Sequence, residues 1–290
     1  MNAARQTVDF SGQVVLVTGA GRGLGRAYAE LIAARGGYVI VHDAGVRLDG
    51  SQPDPTVAAA AVEEIRHQGG KADAAFEDLA APGAGEAIVH RIVDDRGRLD
   101  ALIHSAGLAI RGRLLEADEE AVNRSLAISG IAAFGLLKAA FPAMRRQEYG
   151  RIVLTVSGHG LYPDTEDDDL VAYGMAKALQ FGLLNAVQAE ATRSGILVNA
   201  ISPVAATRML TRPVPAGTLT PEHVAPAVAY LASRACNVSG LVVRASGGRF
   251  SVGRYAATVP VELGAGGTVE PEAVADAWDA ISGGPLHPPS

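Results

Sequence analysis

The chain has 290 residues, of which 48% are hydrophobic and 19% charged, so it carries enough apolar material for a core and too little charge for a disordered protein. It holds 31 acidic and 25 basic residues, a net charge of -6, which argues against binding nucleic acid or an anionic membrane through bulk charge. The single cysteine excludes an intrachain disulfide and a cysteine zinc cluster. No His, Asp or Glu set has metal-ligand spacing, so we expect no metal.

The targeting signals give a matching expectation. The longest apolar stretch, residues 126–137, is well short of the ~20 residues that a membrane helix needs. The first ten residues lack the apolar core of a secretory signal, and the last four are not a peroxisomal address. We therefore expect a cytoplasmic protein that acts on a small molecule, with no nucleic-acid or membrane partner.

Short apolar runs rich in β-branched residues alternate along the chain with stretches of helical period. This order predicts an α/β fold: a Rossmann-like, doubly wound parallel sheet covered on both faces by helices. The predicted strands are residues 14–17, 38–42, 71–75, 101–104, 151–155, 196–201 and 241–244, and the first two helices are residues 23–35 and 57–68.

Three segments interrupt this alternation. Residues 43–56 are a polar loop rich in Pro and Gly, and residues 162–170 are an acidic insertion that we interpret as a solvated loop. Near the end, residues 269–281 have helical spacing after a proline. We predict one domain over residues 10–250, with a C-terminal extension over residues 251–290 that packs on it.

A glycine-rich turn, TGAGRGLG at residues 18–25, joins the first predicted strand to the first helix. Glycines permit a tight turn and let backbone N–H groups approach a pyrophosphate, to which the helix N-terminus adds a favourable partial charge. The second strand ends at Asp43, whose carboxylate can accept hydrogen bonds from an adenosine ribose and repels a 2′-phosphate. NAD is therefore expected rather than NADP, although Arg22 and Arg47 would suit a phosphate.

Tyr173 and Lys177 stand four residues apart, on one face of a predicted helix. A phenol with a pKa near 10 is a poor acid–base group at neutral pH, but a neighbouring ammonium favours the phenolate. Ser157 follows the strand at 151–155, at the carboxyl edge where ligands bind in parallel sheets. The three residues together predict proton transfer to or from a substrate oxygen.

The combination of TGAGRGLG, Ser157, YGMAK at 173–177 and NAISP at 199–203 resembles the short-chain dehydrogenase/reductase superfamily. Within it, VHDAG, QEYGRIV and TPEHVAP are similar to the (3R)-hydroxyacyl-CoA dehydrogenase domain of peroxisomal multifunctional enzymes, a subgroup also classed among 17β-hydroxysteroid dehydrogenases. The likeness extends from about residue 10 to residue 281. It implies a homodimer or homotetramer that interconverts a secondary alcohol and a ketone.

The resemblance also implies residue roles. Tyr173 would exchange the proton, Lys177 would bind the nicotinamide ribose and lower the tyrosine pKa, and Ser157 would hydrogen-bond the reacting oxygen. His159, two residues after Ser157, is a further candidate for substrate contact. The implied cofactor contacts are Gly19, Arg22, Gly23, Leu24, Gly25, Asp43, Asp78, Leu79, Ser105, Ala106, Gly107, Tyr173, Lys177, Pro203 and Thr207.

Two departures from the family pattern bear on activity. The family's Asn-Asn-Ala-Gly is here His104-Ser105-Ala106-Gly107, and the asparagine that completes the catalytic tetrad falls on Ser129. The backbone carbonyl of that asparagine helps to hold a water next to the lysine, and a carbonyl survives substitution. The chemistry therefore remains open, with an altered helix geometry expected at Ser129.

Three functions are consistent with the sequence. The first is an NAD-dependent dehydrogenase of 3-hydroxyacyl-CoA or a related hydroxy compound, including a steroid. The second is an NADPH-dependent tailoring ketoreductase of secondary metabolism, motivated by the replaced asparagines and the acidic insertion. The third is a cofactor-binding structural or regulatory protein with decayed catalysis, against which the intact Ser157, Tyr173 and Lys177 argue.

Overall fold

A computed structural model describes residues 7–163, 168–254, 256–264 and 267–287. Its centre is an eight-stranded sheet in the order β3-β2-β1-β4-β5-β6-β7-β8, and every pairing from β3 to β7 is parallel. The prediction of a Rossmann-like doubly wound sheet is confirmed. The strands are β1 Val14–Thr18, β2 Tyr38–His42, β3 Lys71–Ala75, β4 Ala101–His104, β5 Gly150–Thr155, β6 Ile196–Val204, β7 Val242–Ser246 and β8 Arg249–Gly253.

Helices cover the sheet on both faces. The helices of this part of the chain are α1 Gly23–Ala34, α2 Thr56–His67, α3 Ala84–Arg96, α4 Glu119–Leu126, α5 Ala132–Arg146, α6 Val171–Arg193 and α7 Ala225–Ala232. Because successive strand residues point to opposite faces, Val15 and Val17 pack with α1, α2 and α7, whereas Leu16 packs with α3, α5 and α6. Both faces of the sheet are therefore apolar, as the near-continuous hydrophobic strands predict.

The strand order reverses between β1 and its neighbour β4. Thr18 pairs with His104 at the carboxyl ends of these two strands, which is where ligands bind in an open parallel sheet. The glycine turn, the segment after β4 and the end of β5 all open onto this edge. The fold thus brings the predicted cofactor and catalytic residues to one side of the sheet.

The last strand of the sheet was missed in the sequence. β8 follows β7 through Gly247 and Gly248, whose φ angles of 52° and 76° are typical of a two-residue hairpin turn. The strand β6 is also longer than expected and continues to Val204. Of the acidic insertion at 162–170, residues 164–167 lie outside the described part of the chain.

The chain divides into two compact units, residues 1–252 and 253–290. In the second unit the helical pattern at 269–281 forms two short helices, α8 Pro271–Asp276 and α9 Trp278–Gly283, and the strands β9 Ala257–Thr258 and β10 Leu286–His287 pair antiparallel. The Thr258 hydroxyl donates to the Ile281 carbonyl at 2.7 Å. That this extension packs on the first unit stays a prediction.

Among the described residues, the continuous helical stretch Glu119–Arg146 is long and apolar enough to span a membrane by length and composition alone. It joins α4 to α5, and most of its apolar part is buried inside the fold. A buried core helix passes the same test, and Leu136, Leu137 and Met144 supply this side of the core.

Gly25 allows α1 to pack directly on the glycine turn. A Cβ at this position would lie 2.2 Å from the Gly19 carbonyl oxygen, a backbone atom that cannot move aside. We expect Gly25→Ala to lower the free energy of unfolding by at least about 2 kcal/mol through this overlap. Gly182→Ala in α6 is the control, since its added Cβ meets nothing within 4 Å and should gain about 1 kcal/mol of helix propensity. Urea unfolding of both variants checks this, and equal stabilities would contradict it.

Candidate active site

The glycine turn between β1 and α1 forms a cradle for a phosphate. Gly19 and Gly23 have φ angles of 65° and 55°, which favour glycine. A Cβ on Gly19 would lie 2.8 Å from the Ala106 backbone, so the turn passes close to the segment after β4. The N-cap residue of α1, Arg22, makes no side-chain cap, and the first turn holds no acidic residue. These features fit a pyrophosphate at the positive end of the helix.

Asp43 is fixed at the end of β2 by the glycine turn itself. Its carboxylate accepts hydrogen bonds from the Gly21 N–H at 2.9 Å and from the Gly45 N–H at 2.7 Å. The carboxylate is thereby held next to the phosphate cradle, where an adenosine ribose would lie. The predicted role of Asp43 matches this position.

The guanidinium groups near Asp43 differ from the expected pair. Arg208 donates to the Val46 carbonyl at 2.9 Å, and its pKa is lowered chiefly by burial and also by Arg22, with Asp43 opposing. Arg22 and Arg208 therefore both lie close to Asp43, whereas Arg47 acts on Asp49. The position of Arg208 beside Asp43 was not predicted, because Arg208 follows Asp43 by more than 160 residues in the sequence.

Asp78 and Leu79, implied to hold the adenine, follow β3. The Asp78 carboxylate pairs with Arg124 at 3.1 Å and accepts from the Ala80 N–H at 2.9 Å, and Leu79 is buried in the core. Arg124 also donates to the Gly50 carbonyl at 2.8 Å, so it ties the loop after β2 to Asp78. Arg124, which lies on α4, therefore sits beside the residues implied to hold the adenine. The sequence analysis did not predict it.

Thr18 organises the segment that follows β4. Its hydroxyl oxygen accepts from the N–H groups of Ser105 and Ala106 at 3.1 and 3.2 Å and lies 2.9 Å from His104 Nδ1. Because these two N–H groups occupy the lone pairs of the hydroxyl oxygen, Thr18 donates a hydrogen bond to Nδ1. The neutral imidazole then carries its own proton on Nε2. The Ser105-Ala106-Gly107 backbone is thereby pinned beside the glycine turn.

His104 itself is a buried neutral ring. Burial, with a smaller contribution from Lys177, lowers the pKa of His104 to about 3, against which the main chains of Ile128 and Ser129 act weakly. Its Nε2 has no hydrogen bond of normal geometry among the described residues and faces that main chain. His104 therefore shapes the pocket and does not titrate near neutral pH, as its position at the end of β4 suggested.

Ser129 lies in a π-helical turn, Ala127–Ile131, between α4 and α5. A π-turn displaces the regular i→i+4 ladder and is frequent at functional sites. The Ser129 side chain is buried, and its hydroxyl has no hydrogen-bond partner among the described residues. A Cβ on Gly107 would lie 3.3 Å from this hydroxyl and 3.4 Å from Lys177 Nζ, so both groups face the same point. That this turn differs from the family's helix stays a prediction.

Lys177 is buried beside the carboxyl end of β5. Its ammonium donates to the Thr155 carbonyl at 2.7 Å, and burial lowers the pKa of Lys177 to about 8. With that pKa the group is still mostly protonated at neutral pH. Lys177 thus places a cation at the point where Gly107 and Ser129 meet.

Tyr173 lies one helical turn before Lys177 on α6. The structure brings its phenol close enough to the Ser157 hydroxyl to affect the phenol's pKa, and its ring lies edge-on to His159 with 5.9 Å between centroids. Burial raises the pKa of Tyr173, and the Ser157 hydroxyl lowers it by less. The expected net lowering by Lys177 is wrong for this structure: the ammonium is 5.7 Å from the ring centroid and donates to Thr155 instead.

Two glycines that the sequence analysis did not single out make this arrangement possible. A Cβ on Gly160 would lie 2.6 Å from the Ala178 backbone nitrogen, and one on Gly174 would lie 3.1 Å from the His159 carbonyl oxygen. The loop after Ser157 therefore rests directly on the first turns of α6. The sequence does contain a signal for this close contact: glycines stand next to the candidate residues in both SGHG and YGMAK.

The segment after β6 approaches the glycine turn. A Cβ on Gly23 would lie 3.3 Å from the Thr207 methyl group, so Thr207 lies over the phosphate cradle. Pro203 pairs with Ala245 inside β6 and is partly buried. The Leu24 side chain packs against the core, so only its backbone would be available to contact a cofactor. The predicted residues are therefore gathered in one cleft, with Arg208 and Arg124 added.

The arrangement has the parts for alcohol and ketone interconversion. A phenol and a hydroxyl lie together, a buried cation lies one turn away, and the cradle for a dinucleotide reaches the same edge of the sheet. Two buried polar atoms nearby, His104 Nε2 and Ser129 Oγ, have no hydrogen-bond partner among the described residues. These residues fit a nicotinamide dinucleotide, whose oxidised or reduced ring takes or gives a hydride.

Comparison with known proteins supports this interpretation. The sequence model of the short chain dehydrogenase family matches residues 13–216. The chain is 32% identical over 293 residues to peroxisomal multifunctional enzyme type 2 of Drosophila melanogaster, which covers 97% of this chain and 47% of that protein. It is 35% identical over 240 residues to a short-chain type dehydrogenase/reductase of Mycobacterium tuberculosis, covering 82% of this chain and 83% of the relative.

A solved structure agrees in fold. A short chain dehydrogenase from Mycobacterium avium superimposes with a TM-score of 0.82 at 32% identity, over 96% of this chain and 97% of the other. The chain spans less than half the length of the Drosophila enzyme, so the activities of that whole protein do not transfer with the match. The chain belongs to the short-chain dehydrogenase family, the NAD(P)-dependent oxidoreductases that act on CH–OH groups.

Proposed function

We propose that this protein uses NAD to oxidise a 3-hydroxyacyl-CoA or a related hydroxy compound to the ketone. The observation that carries the proposal is the placement of the Tyr173 phenol beside the Ser157 hydroxyl, one turn from the buried Lys177 ammonium. The substrate class is supported by the match to peroxisomal multifunctional enzyme type 2 across 97% of this chain. A hydroxysteroid is the other substrate of the same chemical class.

In the forward direction the substrate hydroxyl would lie between the Ser157 hydroxyl and the Tyr173 phenol. Ser157 donates to the substrate oxygen and orients it, and Tyr173, ionised to the phenolate, takes the hydroxyl proton as the C–H bond breaks. A bound nicotinamide would accept the hydride. With its three donors, Lys177 can bind the cofactor ribose while it keeps its bond to Thr155.

NAD is proposed over NADP because of Asp43. Its carboxylate is held in place by two backbone N–H groups, so it cannot swing away from a 2′-phosphate without losing them. Arg22 and Arg208 act in the opposite direction, since a guanidinium beside the ribose attracts a phosphate. The position of these two arginines near Asp43 is the specific observation that favours the second candidate, an NADPH-dependent tailoring ketoreductase.

The remaining parts of the proposal concern assembly and location. We propose a homo-oligomer, which the family resemblance implies, and the exposed Ile131 and Phe134 at the start of α5 support it as an apolar face. A cytoplasmic location is retained as a proposal, although several relatives carry peroxisomal names. Decayed catalysis is disfavoured because Ser157, Tyr173 and Lys177 keep a working geometry.

Replacing Tyr173 tests the catalytic role directly. We expect Tyr173→Phe to lower kcat by about a thousandfold, because the acid–base group is lost while the ring and its packing remain. Tyr162→Phe, an exposed tyrosine of the neighbouring loop, should change kcat by less than about twofold. NADH should still bind both variants by calorimetry, with binding unaltered in Tyr162→Phe. Unchanged turnover in Tyr173→Phe would show that the assignment is wrong.

Calorimetric titration with NAD, NADH, NADP and NADPH tests the cofactor proposal. We expect NADH to bind at least about tenfold more tightly than NADPH, and Asp43→Ala to narrow this difference because a repelling charge is removed. Arg208→Gln in the Asp43→Ala background should weaken NADPH again. Preference of the wild type for NADPH would instead support the ketoreductase, and binding of none of the four would favour the structural role.

The buried neutral His104 gives a pH dependence. Its pKa is 6.5 when unfolded and about 3 when folded, so its contribution is complete above pH 6.5 and is lost as the pH falls toward 3. Between about pH 7 and about pH 5 the wild type should lose about 2 kcal/mol from this group. Urea unfolding of His104→Asn should lack that loss, whereas the exposed His67→Asn should retain it. Equal losses in wild type and His104→Asn would contradict the prediction.

A further inference from the structure

Three separate segments meet beside the start of α6, the helix that carries Tyr173, and Arg111 contacts two of them from the third. Arg111 lies in the loop after β4, and its Nη1 donates to both carboxylate oxygens of Asp169 at 2.5 and 2.8 Å. Its Nη2 donates to the Thr211 hydroxyl at 2.9 Å. Asp169 lies just before α6, and Thr211 lies in the segment after β6. We name Arg111, Asp169 and Thr211 the rim clamp.

The backbone repeats this connection. Gly112 N–H donates to the Asp169 carbonyl at 2.7 Å, and Gly112 forms a parallel bridge with Leu170. Leu170 is the residue before α6, and its carbonyl accepts from the Gly174 N–H at 2.8 Å. The rim clamp is therefore joined to the helix turn that carries Tyr173. Residues 169 and 170 of the acidic insertion are held by these hydrogen bonds, whereas we expected a solvated loop.

A second ion pair joins the same two segments but is more open to solvent. Arg113 Nε lies 3.2 Å from Asp168, and their side chains are 62% and 70% exposed, compared with 36% and 31% for Arg111 and Asp169. Solvent screens an exposed pair, so Arg113 contributes little. Arg111 also lowers the pKa of Asp169, first by its hydrogen bond, which keeps that carboxyl ionised. The two pairs provide a matched comparison.

The loop that Arg111 holds presents apolar side chains to solvent. Leu114 and Leu115 are 76% and 98% exposed, two and three residues beyond the bridge at Gly112. A loop held at its base by charges and exposing two leucines suits a ligand with an apolar body that extends past the reacting carbon. A small alcohol would reach Ser157 and Tyr173 without meeting this loop.

We propose that Arg111 is a specificity-determining residue: through the rim clamp it holds Leu114 and Leu115 where they contact the apolar body of an extended substrate. The proposal rests on the proposed function for the reaction itself. Arg111 touches no reacting atom, so it acts on substrate binding and not on the proton or hydride transfer. Loss of the clamp should therefore raise KM and leave kcat unchanged.

The first test needs no turnover. Hydrogen exchange of the cofactor-free protein should become about threefold faster or more over residues 108–118 in Arg111→Gln, because the loop loses its charged anchor. Asp169→Asn should give the same result, and Arg113→Gln should match the wild type. The swapped variant Arg111→Asp with Asp169→Arg should restore slow exchange. Unchanged exchange in Arg111→Gln overturns the clamp.

The second test separates specificity from positioning. With a long-chain 3-hydroxyacyl-CoA, Arg111→Gln should raise KM by about threefold to fivefold, the range that one ion pair can supply, with kcat within twofold. With a small secondary alcohol KM should not change, and NADH binding should stay as in the wild type. An equal rise in KM for both substrates, or a fall in kcat, overturns the proposal. If the wild type oxidises no alcohol, the proposed function fails while the exchange result still stands.

Discussion

The buried ammonium of Lys177 is the constraint around which the site is built. A charge removed from water is costly unless polar atoms surround it, and here the Thr155 carbonyl at the end of β5 accepts its hydrogen bond. Gly107 leaves room for the ammonium from one side, and the Ser129 hydroxyl approaches from another. Three elements that are far apart in sequence must therefore converge on one nitrogen, and that convergence places Tyr173 next to Ser157.

The departures from the family pattern form one consistent arrangement. His104 Nδ1 accepts a hydrogen bond from the Thr18 hydroxyl, so the neutral ring presents Nε2–H to the main chain of the π-turn at Ser129. A neutral donor there suits a main chain whose hydrogen-bond ladder is interrupted, and it adds no charge next to Lys177. The low pKa of His104 follows from the same burial. The three positions at which the family pattern has asparagine, His104, Ser105 and Ser129, thus still carry polar side chains.

Most of the fold and the cofactor end could be predicted because their signals are local. The turn at Gly19–Gly25, the strand end at Asp43 and the spacing of Tyr173 and Lys177 each lie within a short window. What escaped prediction depends on pairs distant in sequence: Arg208 beside Asp43, and Gly160 against the backbone of α6. The net rise in the Tyr173 pKa also needed the structure, because the opposing effects of burial and charge depend on depth and distance.

The same distinction separates the two ends of the cleft. At the predicted cofactor end, the contacts are made by backbone N–H groups and glycines. They depend on the geometry of the turn, which tolerates few substitutions. At the substrate end, the connection between walls is made by side chains, chiefly Arg111 with Asp169 across 58 residues of sequence. Side-chain pairs can be exchanged without disturbing the sheet. A shared hydride-transfer site can therefore serve different alcohols when only the side-chain pairs at the substrate end change.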